Sequence, residues 1–109
     1  MDKQQLYQSI IPQAISLIKG ENRIAAMANL SALLHQTFGF WWTGFYRVVG
    51  EELVLGPFQG PIACTHIPYG KGVCGTSWKE QRTIVVPDVE EFLFLRFSRC
   101  VLFLYTEYA

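Results

Sequence analysis

The chain has 109 residues, half of them hydrophobic and 15% aromatic, and its nine basic and nine acidic side chains cancel. So apolar a composition excludes a disordered chain and fits one small globular domain. Balanced charge with no run of Lys or Arg gives no electrostatic pull toward nucleic acid or anionic lipid, and neither is expected as a partner.

In chain order, residues 2–19 place Leu6, Ile10, Ala14, Leu17 and Ile18 at helical spacing, and Gly20 stops the helix. Asn22 caps a second helix whose core set is Ile24, Met27, Ala28, Leu30, Leu34 and Phe38, closed by Gly39. Residues 41–49, the turn Gly50-Glu51-Glu52 and residues 53–55 predict a β-hairpin that ends at Gly56-Pro57. A strand over 62–67, a glycine-rich turn over 69–75, a short helix over 76–81 and a strand over 83–86 follow. The order ααβββαβ predicts an α+β domain with N-terminal helices packed on an antiparallel β-sheet.

The texture changes after Phe92. Residues 93–105 hold no Gly, Pro, Asn or Asp, hence no turn chemistry over thirteen residues. They read as one long strand or as an ending foreign to the fold, so the chain divides into residues 1–92 and a divergent apolar tail, 93–109. Arg96 and Arg99 interrupt this stretch, which is shorter than the ~20 residues that cross a bilayer. The start, Met1-Asp2-Lys3-Gln4-Gln5, lacks the basic and apolar regions of a secretory signal, and a cytoplasmic location is expected.

Gly70-Lys71-Gly72-Val73-Cys74-Gly75 matches the glycine spacing of dinucleotide sites, with Asp88 placed like a ribose-binding acid. That fingerprint requires a βαβ unit of ~30 residues, and only a short helix fits before residue 83. A tight turn is the simpler reading. The phosphate-loop pattern fails because Gly72, not Ser or Thr, follows Lys71.

Three cysteines without an export signal argue for free or redox-active thiols over a disulfide framework. Cys64-Thr65-His66 supplies two possible metal ligands and His35 is remote, so a metal is not expected. Cys74 opens a helix, where unpaired N–H groups and the positive dipole end favour a thiolate. Its alternative is a small buried apolar residue. Trp42, Gly44 and Tyr46 share a strand face and form either core or an aromatic wall with a glycine gap for a small ligand. His66, on the strand side of Cys64, either serves that thiol or is half exposed.

These residues resemble the free methionine-(R)-sulfoxide reductases, which are single GAF domains. The resemblance rests on Ala32-Leu33-Leu34, Trp42-Thr43-Gly44-Phe45-Tyr46, the segment from Leu53-Val54-Leu55-Gly56 to Pro57-Phe58-Gln59-Gly60, Ile62-Ala63-Cys64, the Gly70 to Gly75 segment and Val86-Pro87-Asp88-Val89. It implies a GAF-like domain and an oxidoreductase that reduces free L-methionine (R)-sulfoxide by thiol/disulfide exchange, with thioredoxin as reductant and no bound metal or organic cofactor. Carried over by motif, Cys64 is the resolving cysteine, Cys74 an additional redox cysteine, and Trp42 and Tyr46 wall the substrate's methyl end.

The resemblance also exposes a departure. The family's attacking cysteine falls by spacing at position 98, which is Ser98, and a serine hydroxyl does not run sulfenate chemistry. Cys100 stands ~6.6 Å further along an extended chain, too far to be assigned that role. Downstream acidic residues that hold the substrate's amino group are also missing, as in a chain truncated or altered at its C-terminus. Impaired turnover follows, with a non-catalytic GAF module binding a small molecule as the alternative. An uncovered sheet edge predicts self-association as a homodimer or a makeshift strand from the tail.

Overall fold

A computed structural model describes residues 1–85 and, as backbone, residues 100–106. α1 is Lys3–Ile18, and its start is fixed by a reciprocal cap. The Asp2 carboxylate accepts from the Gln5 N–H at 2.8 Å, while the Gln5 side chain accepts from the Asp2 N–H at 3.0 Å. α2 is Arg23–Phe38, opened by the Asn22 side chain accepting from Ile24 and Ala25, and closed by Gly39 in the left-handed region at φ 66°.

The buried face of α2 is Ala26, Met27, Ser31 and Leu34. Ile24, expected in the core, is instead 51% exposed, and Ser31 is completely buried. A hydroxyl can occupy that place because it donates to the Met27 carbonyl at 2.8 Å and to the Pro57 carbonyl at 3.4 Å.

β1 (Trp42–Val49) and β2 (Glu52–Gln59) form the expected hairpin, but β2 continues through Gly56-Pro57 where the sequence predicted an end. The register explains it. Tyr46 pairs with Leu55 and Gly44 with Phe58, so Gly56 and Pro57 together oppose Phe45 in a β-bulge. Proline's missing N–H is tolerated at such a point. The extra residue also returns Phe58 to the sheet face of Leu53 and Leu55.

β3 is His66–Pro68, which keeps only the last two residues of the strand expected over 62–67 and adds Pro68, and it pairs antiparallel with β2. α3 is Gly72–Glu80, so the helix starts four residues before its predicted start at 76. Gly70 and Gly72 take the left-handed backbone of the turn, at φ 75° and 63°, whereas Gly75 lies within the helix. Residues 83–85 are irregular, so no strand forms over that part of the expected 83–86 segment, and Val86 lies outside the described residues.

β4 (Cys100–Thr106) comes from the apolar tail and adds to the free edge of β1, giving the order β3-β2-β1-β4. Its pairing with β1 is parallel, running from Trp42 opposite Cys100 to Val48 opposite Thr106. The antiparallel sheet expected from the sequence is thus β1 to β3, with one parallel strand added. A parallel neighbour requires a long connection, and the chain between β1 and β4 supplies one.

The sheet separates two layers. Trp42, Tyr46, Leu53 and Cys74 form a buried cluster with Val48, Leu55, Phe58, Ala63, Ile67 and Trp78 packed against it. Strand alternation puts Thr43 on the opposite face, where α2 packs on β1 and β2 and α1 covers α2.

Candidate functional site

The residues singled out by the sequence converge on Tyr46. Trp42 and Tyr46, two apart on β1, face the same side with ring centroids 6.0 Å apart, and they are 2% and 3% exposed. The Tyr46 hydroxyl donates to the Cys64 carbonyl at 2.8 Å. Cys74 is the third residue of α3 and belongs to the same buried cluster. Cys64 is an exposed free thiol, and no disulfide joins it to Cys74.

Local backbone geometry holds Cys74 there. The Lys71 N–H donates to the Pro68 carbonyl at 3.1 Å, and the Gly70 N–H to the Gly75 carbonyl at 3.1 Å. The turn thereby folds back onto the first turn of α3. A Cβ at Gly75 would lie 2.7 Å from the Pro68 carbonyl oxygen, so only glycine allows this approach. Lys71, at the cap position, provides no side-chain hydrogen bond to the open N–H groups of the first turn. The glycine segment is therefore a turn that seats a cysteine at a helix start.

The gap expected over Gly44 is not open. Phe58 is its cross-strand partner and fills the space, stacking on Trp42 with centroids 5.3 Å apart and planes 14° apart. Phe58 is the residue that sequence reasoning missed; the bulge that turns it inward was hidden behind Gly56-Pro57, read as a stop. The indole Nε1 of Trp42 is buried with no hydrogen-bond partner among the described residues.

His66 does not serve Cys64 in this arrangement. Its Nδ1 is 2.9 Å from the Glu52 carboxylate in a solvent-exposed pair. Among the described residues no cluster of three His, Cys, Asp or Glu side chains could hold a metal ion. No helix among them is long and apolar enough to cross a membrane. A separate cavity of about 340 Å³ lies between the β1–β2 turn and α3, lined by Gly50, Glu51, Tyr69 and Trp78 and by none of the predicted site residues. Position 98 lies outside the described residues, and Cys100 opens β4 in register with Trp42.

Comparison with known proteins bears on this geometry. The chain matches no family model. It is 54% identical over 92 residues to GAF domain-containing protein A of Dictyostelium discoideum, covering 83% of this chain and 58% of that protein. It is 42% identical over 94 residues to the free methionine-R-sulfoxide reductase of Escherichia coli, covering 84% of this chain and 57% of the enzyme. The structure superimposes with a TM-score of 0.80 on the free methionine-R-sulfoxide reductase of Neisseria meningitidis in complex with its substrate, at 48% identity and covering 83% and 56% of the two chains.

Over the matched segment the chain is similar to the free methionine-R-sulfoxide reductases. Its fold is the GAF fold, as the resemblance in the sequence implied. The chain spans somewhat under three fifths of the length of these reductases.

Proposed function

We propose that this chain reduces free L-methionine (R)-sulfoxide at the aromatic wall of Trp42 and Tyr46, passing the oxidation to Cys64 and Cys74. The observation that carries the reading is that Tyr46 lies in one buried cluster with Cys74 and donates its hydroxyl to the Cys64 backbone carbonyl. Relatives named for this activity, one of them in complex with its substrate, support it.

With Ser98 in place of the family's attacking cysteine, the thiol beside the wall is that of Cys74. Its sulfur attacks the sulfoxide sulfur and takes the oxygen, leaving methionine and a Cys74 sulfenic acid. The Cys64 thiol displaces water from that sulfenic acid, forming the Cys64–Cys74 disulfide. A reduced dithiol, for which we propose thioredoxin, then exchanges with the disulfide and is itself oxidised. Two electrons and two protons thus pass from dithiol to sulfoxide for each methionine and water released. Exposure of Cys64 suits it to meet the external dithiol, while Cys74 stays inside.

We further read the chain as cytoplasmic, with residues 1–92 as its GAF part and 93–109 as a divergent tail. It forms a homodimer in this proposal. The surface that suits a second copy is the row Tyr7, Ile11, Ile15 and Ile18 on α1, each 40–55% exposed. From Gln4 to Ile18 that helix carries no charged side chain, so two copies meet without like-charge repulsion.

A thioredoxin-coupled assay with free methionine (R)-sulfoxide tests the activity: sulfoxide-dependent oxidation of NADPH is expected. Binding of the sulfoxide without turnover favours a non-catalytic GAF module, and neither binding nor turnover refutes both readings.

A further inference from the structure

We infer that the Tyr46 hydroxyl is the positioning group that fixes Cys64 for exchange with Cys74, an inference that rests on the dithiol reading above. Residues 61–65 form no helix or strand, and Ile62 within them is 95% exposed. An exposed thiol on such a segment samples a wide volume unless its backbone is tied. Two ties are present, on consecutive carbonyls. Cys64 accepts from the Tyr46 hydroxyl at 2.8 Å, and Thr65 accepts from the Leu55 N–H at 2.9 Å. Tyr46 and Leu55 are themselves register partners across β1 and β2, so one cross-strand pair holds both.

The side-chain tie is rigid. The Tyr46 ring is 3% exposed and stacked near Trp42, so its hydroxyl is delivered from the core and loses little rotational freedom on bonding. The bond meets the cysteine's own carbonyl, one residue before the first ladder contact. Its loss leaves the Cys64 peptide held from one side only. Disulfide formation depends on the effective concentration of one thiol at the other, and freeing one of them lowers that concentration. The acceptor is an ordinary neutral carbonyl, so the expected change is about three- to tenfold.

The experiment poises the full chain in mixtures of reduced and oxidised dithiothreitol, traps the thiols by alkylation and counts the Cys64–Cys74 disulfide by mass spectrometry. Tyr46→Phe keeps the ring and removes only the donor. Its disulfide equilibrium constant is expected to fall three- to tenfold with a cooperative melt retained, while Tyr69→Phe, on the adjoining turn, leaves the constant unchanged. Exchange of the Leu55 amide, bonded to the next carbonyl, speeds up in Tyr46→Phe by a similar factor. Should Tyr46→Phe not fold, Tyr46→monofluorotyrosine, a stronger donor of nearly the same shape, raises the constant instead. An unaltered constant in Tyr46→Phe overturns the positioning role while leaving the dithiol reading intact. Absence of any Cys64–Cys74 disulfide in the parent chain overturns the dithiol reading, and this inference with it.

Discussion

Trp42 and Phe58, from adjacent strands, stack 5.3 Å apart and close over Gly44, the residue between Trp42 and Tyr46 on their face of the sheet. A Cβ on Gly44 would meet the Phe58 Cβ and come within 2.7 Å of Trp42 Cη2 and 2.9 Å of the Phe58 Cα. Glycine here makes room for a neighbouring ring, so Phe58 fills the gap in the aromatic wall on the same face of the sheet.

Gly44→Ala is therefore expected to destabilise the chain by about 2–3 kcal/mol, the cost of overpacking where a backbone atom stands in the way. Urea unfolding measures this directly. A change below about 0.5 kcal/mol shows that the Phe58 stack yields easily.

Gly75→Ala tests the seat of Cys74. The added methyl meets the Pro68 carbonyl oxygen and must push the first turn of α3 off the 68–71 turn, at about 1–3 kcal/mol. Because that turn carries Cys74, sulfoxide-dependent turnover falls in the variant even at temperatures where it remains folded. Full turnover at the parent's rate contradicts the seating of Cys74 by this turn.

These two glycines mark what was legible in the sequence and what was not. The first two helices and the β1–β2 hairpin follow from spacing, the cap at Asn22 and the turn at Gly50, because local chemistry decides them. The length of β2 did not follow, since Pro57 reads as a stop in a single strand and becomes acceptable only when paired across a bulge with Phe45. Ile24 and Ser31 exchanged places on α2 because the buried face is chosen by the sheet below it, including the Pro57 carbonyl that Ser31 meets. For the site, Trp42, Tyr46, Cys64 and Cys74 were named from their residue types and motif, whereas the hydroxyl-to-carbonyl bond joining two of them spans 18 positions and leaves no trace in the pattern.

The two cysteines are expected to fail differently when replaced. Cys64→Ser, with Cys74 still able to take the oxygen, releases a single methionine per chain and stops as a sulfenic acid that a cyclic dione captures. Cys74→Ser releases none. Rapid-quench amino-acid analysis separates the two, and steady-state rates unchanged from the parent in both variants contradict the assigned roles.

Ile15→Glu places a charge in the middle of the exposed α1 row and is expected to weaken self-association at least about tenfold, through a desolvated charge with no partner. Sedimentation velocity over a concentration series reads the change. A parent chain that sediments as a monomer at every concentration refutes the dimer.

The most direct test is a thiol count after the fully reduced chain meets stoichiometric free methionine (R)-sulfoxide without any reductant. Alkylation and peptide mapping are expected to show Cys64 and Cys74 lost together as one disulfide, with an equal amount of methionine released. Recovery of both as alkylated thiols beside unchanged sulfoxide contradicts the account.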